Sequence, residues 1–251
     1  GVRLRQFVIK NVKHRFFSAP GPGVQTKGIY KMLRLQWNQM KQYYAINPLI
    51  KDYKLIKSSS QDIVESIPSN ASCIEMKRVE NTDDLLHFDF GSVSNIVPFK
   101  DKRYIENRFF NYPFYDYDVF LVCKLNELMA QNIVVCRKAI AKDDEGNNIA
   151  SANRIVDYYG TENLLPEIIS ALFEKVKSQG DEFLDFVCHG FDELLLKQSG
   201  LTLLNFDSSD VIIPNWFEPL VKENIAVNCV ADTTMYEYRQ CKADGDQDRP
   251  N

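Results

Sequence analysis

Asn153-Arg-Ile-Val-Asp-Tyr-Tyr-Gly160 and Glu182-Phe-Leu-Asp-Phe-Val-Cys-His189, with the residues between them, decide the fold of this chain. The first is a β-rich run ending in glycine. Thr161-Glu-Asn163 then opens an apolar-periodic helix that runs to about Lys177. The second run is another strand, and Phe191 to Ser199 a second helix closed by Gly200, so 153–205 reads strand, helix, strand, helix, strand. Two strands joined by a helical crossover form a parallel βαβ unit, and ligands of such units normally sit beyond the carboxyl ends of the strands. Asp157, Gly160, Asp185 and His189 all fall late in the two strands, which makes them the first residues to consider for chemistry.

Upstream, Asp118 to Leu125 and Asn132 to Ile140 are β-rich, and Asp143-Asp-Glu-Gly-Asn-Asn148 is a hairpin turn leading back into Ala150 to Tyr158. Asp101 to Asn111 reads as a helix that must stop at Tyr112-Pro113, because proline disfavours helix at the residue before it. Cys73 to Val79 is a strand candidate, and Thr82 to Phe88 a short helix capped by Thr82. The fold class is α/β (α+β): a mixed, largely antiparallel sheet with a central parallel βαβ unit and flanking helices.

Residues 1–57 carry 12 Lys/Arg against one acid, Asp52, whereas 58–251 carry 18 against 33. Such asymmetry points to a polyanion or membrane-surface contact for the basic part, or to attraction between the two parts. Leu4 to Phe17 mixes cations (Lys10, Lys13, Arg15) and His14 with Phe7, Ile9, Phe16 and Phe17, a pattern suited to an anionic lipid surface or to phosphates. Ser18-Ala-Pro-Gly-Pro-Gly23 is a loop. Ile29 to Tyr44 shows helical spacing through Tyr30, Leu33, Trp37, Met40 and Tyr44, a stripe that could also join two copies of the chain as a homodimer. Ser58-Ser-Ser60 and Pro68 place a boundary near 58–70. The expected organisation is a basic, helical N-terminal segment over 1–70, a main domain over 71–240 and an acidic C-terminal tail over 241–251.

No apolar run approaches the roughly 20 residues needed to cross a bilayer, and the first 18 residues are basic rather than a signal peptide. The six cysteines form no CxxC pair and no zinc spacing, so reduced, mostly buried thiols in a cytoplasmic protein are expected. Asp244-Gly-Asp-Gln-Asp248 begins like a calcium loop but lacks the glycine at position six and the glutamate at twelve, and a solvated tail is expected instead. No Walker loop, GxSxG elbow or HExxH helix occurs. Because most of the chain is acidic, duplex DNA is not expected as the main partner.

The order of elements, Gly160 after the central strand, and Leu195-Leu-Lys-Gln-Ser-Gly-Leu201 near the end of the second helix resemble the GNAT superfamily of acyl-CoA N-acyltransferases. Tyr104-Ile-Glu-Asn-Arg-Phe-Phe-Asn-Tyr-Pro-Phe-Tyr-Asp-Tyr117 is similar to a stretch of GNAT-like proteins among bacterial surface-polysaccharide enzymes. The resemblance covers about 75–240. It implies an acyl-CoA (acetyl-CoA) donor, no metal, and an amino group of a sugar or sugar nucleotide as acceptor, at a place peripheral to the inner membrane face. Gly160, Thr161 and Asn163 would hold the donor. One departure stands out: the family's glycine-rich pyrophosphate loop is replaced by Asp157-Tyr-Tyr-Gly-Thr-Glu-Asn163, with one glycine and acids nearby. This keeps open two alternatives, a non-catalytic GNAT-like binding or scaffold module and an aminoacyl-tRNA-dependent transferase.

In N-acyl transfer a base takes a proton from the attacking amine, and Asp157 or Asp185, with His189 assisting, has the right chemistry. Side by side in a parallel sheet, two carboxylates would raise one pKa. The structural alternative is that each is bonded to a loop or to Arg154, and that His189 only holds a strand end. Cys188 alternates with His189 and is expected to face the core. Arg108, Asn111 and Tyr112, with Tyr115 and Tyr117, carry the planar rings and guanidinium of a sugar or nucleotide site, or else pack the corner at Pro113. Trp216, in the proline-bounded loop 214–219, is a candidate cover for a pocket.

Overall fold

A computed structural model describes residues 2–14, 16–58, 67, 73–232, 237–245 and 248. The N-terminal part runs α1 (Val2–Asn11), β1 (Ser18–Pro20), α2 (Lys27–Met32), β2 (Gln36–Gln39) and β3 (Lys41–Ile46). Next come β4 (Ile74–Arg78), β5 (Ile96–Val97) and α3 (Lys102–Ile105), which continues as a π turn over Glu106–Phe110. The strands β6 (Asp118–Lys124), β7 (Asn132–Lys142) and β8 (Asn148–Gly160) form a meander. It leads into α4 (Leu165–Gln179), β9 (Phe183–His189), α5 (Glu193–Gln198) and β10 (Thr202–Leu203). Five short strands follow: β11 (Trp216–Phe217), β12 (Leu220–Val221), β13 (Asn228–Ala231), β14 (Glu237–Tyr238) and β15 (Gln240–Cys241).

The crossover helix forms where its apolar period requires it. Leu165, Ile168, Ile169, Leu172, Phe173 and Val176 make one stripe, and all are buried. Pro166 sits in the first turn, where its missing N–H costs nothing, and Gly180 ends the helix at φ 68°. Burying that stripe contributes on the order of 10 kcal/mol before entropy is counted. The strands it joins, β8 and β9, are buried on both faces and lie at the centre of the sheet, as their near-continuous apolar runs demand.

The main sheet has the order β10-β3-β9-β8-β7-β6-β4, with β15 attached to β9. Within it β8 and β9 are parallel, and the other pairs are antiparallel. The expected fold class, a mixed and largely antiparallel sheet around one parallel βαβ unit, is therefore what the chain forms. One face of the sheet packs on α4 through Leu184, Phe186 and Cys188. The alternate residues of β9 point to the opposite face, where Phe183 joins Tyr44, Ala152 and Phe217.

The helix expected over Ile29 to Tyr44 is corrected. It stops at Met32, Arg34 takes φ 58°, and Gln36 onward is strand. Residues 42–46 are buried throughout, because β3 lies between β9 and β10 inside the sheet, and burial on both faces outweighs a stripe of helical period. The short helix near Thr82 is capped by Asn81, whose side chain accepts from Asp83 N, and not by Thr82. The boundary expected near 58–70 lies, apart from Ser58 and Ile67, outside the described residues, as does Arg15. Cys136, Cys188, Cys229 and Cys241 are buried thiols and no disulfide is formed. Among the described residues no helix is long and apolar enough to cross a membrane.

Candidate functional site

Strands β8 and β9 pair in parallel only over Asn153–Ile155 and Leu184–Phe186. Beyond that they part, and β15 lies antiparallel on β9, with Gln240 opposite His189 and Cys241 opposite Cys188. The space beyond the carboxyl ends of a parallel pair, the usual ligand position, thus holds the chain's own residues 237–245. Arg239 fixes them there: Nη1 donates to Gly160 O at 2.7 Å, and Nη2 pairs with Glu162 at 2.8 Å and with Glu237. Gly190, at φ 81°, admits the crossing chain, since a Cβ there would lie 2.0 Å from Tyr238 O.

Asp157 and Asp185 are not side by side. In register Asp185 stands opposite Arg154, and Asp157 is three residues further along β8. Arg154 grips Asp185 with two bonds, Nε to Oδ1 at 2.8 Å and Nη2 to Oδ2 at 2.7 Å, and Gln42 donates to Oδ2 at 2.9 Å. The same guanidinium reaches Asn215 O and Oδ1, and Lys242 Nζ donates to Asn215 Oδ1 at 2.7 Å. Burial, helped by Arg154, pushes the Lys242 amine well below its ordinary pKa. Asp157 is paired with Lys100, which also meets Asp244 Oδ1 at 2.8 Å. Burial works against the Lys100 charge, but these two carboxylates hold its pKa well above the ordinary value. Burial, offset in part by Lys100 and reinforced by Asp157, pushes the Asp244 carboxyl up to about 6. Oxygens of Asp157 and Asp244 and the Cys241 sulfur lie within 4.8 Å of one another, and the cation among them is the Lys100 ammonium.

His189 has different surroundings. It is half-buried, and with Asn38, Gln39, Lys41, Tyr43 and Glu193 it lines a cavity of about 360 Å³ beside the start of α5. Burial, then the nearby Lys41, lowers its pKa from 6.5, so the imidazole is neutral at pH 7. Lys41 pairs with Glu193 in the same cavity wall. Burial raises the Tyr43 phenol, which stays protonated, and its hydroxyl has no hydrogen-bond partner among the described residues.

The expected donor residues lie at the turn into α4. Gly160 gives its carbonyl to Arg239, and its φ of 137° allows close contact with Gln131 on the way into β7. Thr161 is exposed, with its hydroxyl on Asn163 Oδ1 at 2.5 Å and its carbonyl accepting from Tyr158 Oη and Asn132 Nδ2. Glu162 accepts from Asp192 N at 2.6 Å, which places a carboxylate before the helix. Of the expected acceptor residues, Arg108 donates to Ala243 O and Gly245 O and pairs with Asp248, on which Tyr117 Oη also closes at 2.7 Å. Asn111 is exposed and bonded to Asn107, and Tyr112 stacks on Tyr115 with centroids 5.8 Å apart. Arg108 is thus separated in role from Asn111 and Tyr112.

The residues that sequence reasoning missed are Lys100, Arg239, Lys242, Asp244 and Asp248. The solvated tail expected over 244–248 is corrected at its two described acids: Asp244 and Asp248 are buried, because Lys100 and Arg108 supply the charges that let them leave water. The available signal was the two cations Arg239 and Lys242 standing just before the acids at 244, 246 and 248.

No family model and no curated protein sequence matches the chain. Solved structures with a similar course include a GCN5-related N-acetyltransferase from Anabaena variabilis, at 10% identity and TM-score 0.47 over 92% of this chain and 48% of that one. A GCN5-related N-acetyltransferase from Sphaerobacter thermophilus aligns at 6% identity and TM-score 0.45, over 96% of this chain and 64% of that one. Saccharomyces cerevisiae N-myristoyltransferase with bound myristoyl-CoA aligns at 8% and 0.44, over 82% and 49%. The chain spans about half to two thirds of the length of these proteins, and TM-scores below 0.5 at such identities fix neither family nor activity.

Proposed function

We propose that this chain is an N-acyltransferase, moving an acyl group from acyl-CoA to an amino group of a sugar or sugar nucleotide in surface-polysaccharide synthesis. The observation that carries the reading is the cavity at the end of β9. Of Asp157, Asp185 and His189, His189 lines this cavity, whereas the two aspartates are buried in ion pairs. Its imidazole, held neutral, accepts a proton from the amine as nitrogen attacks the thioester carbonyl carbon. The C–N bond forms, the C–S bond breaks, and the leaving thiolate takes a proton from the imidazolium just formed or from water. Lys41 and Glu193, on the same wall, offer a cation and a carboxylate to a polar acceptor. Isothermal calorimetry with acetyl-CoA tests the reading; no heat at millimolar donor would sink it.

A second reading, a binding module without catalysis, is favoured by residues 237–245, which fill the gap between β8 and β9. Under it, acetyl-CoA gives no heat while a glycan-type ligand still binds. Heat from tRNA alone would instead favour aminoacyl transfer. The proposed membrane contact rests on Phe7, Val8 and Val12, which are exposed beside Lys10 and Lys13 in and just after α1. Co-sedimentation with liposomes that ignores anionic lipid content would remove it.

A further inference from the structure

The hydroxyl of Tyr43 is an unmet hydrogen bond beside the cavity at His189. Tyr43 lines that cavity and is 1% exposed, yet its Oη has no partner among the described residues. Tyr43 stands opposite Phe186 and Lys41 opposite Cys188, so these four share the face of the sheet that packs on α4 and α5. The titratable groups that bear on the phenol are Cys188 and Glu193, both in the cavity wall, which places its tip towards the open volume. A buried hydroxyl left unpaired costs about 1–3 kcal/mol, so in a native fold it points to a partner from outside the chain.

The wall suits a cationic molecule better than an anionic one. Lys41 is its one cation, and Lys41 Nζ donates to Glu193 Oε1. Glu193 Oε2 takes no hydrogen bond among the described residues, so an incoming ammonium has a carboxylate oxygen to meet. Asp192 beside it caps α5 through Leu194 N and Leu195 N, with no cation partner among the described residues. The other cations close by already serve acids. Arg239 pairs with Glu162 and Glu237, and Lys197 bears on Glu193 from one turn along α5. A phosphate would meet carboxylates here, without the uncommitted Arg or Lys that phosphate sites supply.

Size points the same way. About 360 Å³ lies near the lower end of the roughly 300–1,000 Å³ of small-molecule sites, room for one sugar ring rather than a sugar joined to a nucleoside diphosphate. Phe191 and Leu196 offer that ring apolar contact, while Asn38 and Gln39 each bring a donor and an acceptor for its hydroxyls.

We propose that the cavity at His189 takes the ring of an amino sugar that carries no phosphate, its ammonium on Glu193 and one hydroxyl on the Tyr43 phenol. This occupant rests on the proposed acyl transfer for its amine, and it excludes the sugar nucleotide that the same reading allows. The test is calorimetry of the full chain with glucosamine, glucose, glucosamine 6-phosphate and uridine-diphosphate glucosamine. Glucosamine should bind at millimolar concentration, and the other three at least about fivefold more weakly. In Tyr43→Phe it should bind about tenfold more weakly while the melting temperature holds or rises, because the fold loses no partner of the hydroxyl. In Glu193→Gln the preference for glucosamine over glucose should vanish. Equal binding of glucose or of either phosphorylated sugar would overturn the proposal, as would unchanged binding in Tyr43→Phe or no heat from glucosamine at tens of millimolar. A lower melting temperature for Tyr43→Phe would give the hydroxyl a partner within the fold and overturn it too. Heat from glucosamine with none from acetyl-CoA would refute acyl transfer and leave this site standing; the reverse would refute the site alone.

Discussion

Arg239 donates to the carbonyl oxygen of Gly160 at 2.7 Å, tying the crossing C-terminal segment to the end of the central strand β8. The same side chain pairs with the largely buried Glu162, so one residue joins the end of the sheet, the entry to α4 and the segment that fills the gap between β8 and β9. Arg239→Ala leaves Glu162 without its cation and Gly160 O without its donor. The expected loss is about 2–4 kcal/mol in urea unfolding. A loss under about 1 kcal/mol would mean that the segment is held by other contacts.

Gly190 makes a second, sharper test of the same crossing. Its φ of 81° already disfavours any side chain, and a Cβ would meet Tyr238 O at 2.0 Å. Gly190→Ala must therefore push the strands apart, costing about 2–4 kcal/mol, and each kcal/mol lowers Tm by about 2–4 °C in a chain of this size. A melting temperature unchanged within a degree or so would refute the close approach.

The two tests concern a part of the fold that local pattern could not reach. The unit from Asn153 to Leu203 was legible because its apolar period changes from continuous to helical and back, with Gly180 and Gly200 marking the helix ends. Strand β3 was not, because Tyr30, Leu33, Trp37, Met40 and Tyr44 satisfy a helical period while residues 42–46 are buried on both faces by β9 and β10. Asp244 and Asp248 looked like solvated acids for a different reason: their partners Lys100 and Arg108 lie about 140 residues earlier in the chain. At the candidate site, residue type pointed to Asp157, Asp185 and His189 alike, and only the packing separates two ion-paired carboxylates from an imidazole facing a cavity.

Asp185 tests that separation. In Asp185→Asn the Arg154 guanidinium stays buried without its carboxylate, and about 3–5 kcal/mol of stability should be lost. Circular dichroism melts and activity must be read together. A variant as stable as the parent but inactive would return Asp185 to a catalytic role.

Asp244 sets a pH dependence. Burial lifts its folded pKa from 3.8 to about 6, so the folded state holds a proton that the unfolded state has released. Its contribution to stability is full below about pH 4 and is lost as the pH rises through about 6. Asp244→Asn should flatten the dependence of unfolding free energy on pH across that window while keeping an acceptor for Cys241 N. The same slope in parent and variant would assign the titration elsewhere.

His189 carries the proposed chemistry, and its pH profile is the most direct check. With a pKa lowered from 6.5 by burial and by Lys41, the imidazole is protonated only under acid conditions. If it takes the proton of the amine, kcat/KM should rise with pH along a limb centred below 6.5, apart from any limb that belongs to the substrate amine. His189→Gln should remove that limb and lower kcat/KM by about a hundred- to a thousand-fold, while KM for acetyl-CoA changes little. Glutamine keeps the backbone pairing of residue 189 with Gln240, so a folded, donor-binding and inactive variant is the expected result. A variant that keeps both the rate and the acid limb would move the base to another residue of the cavity.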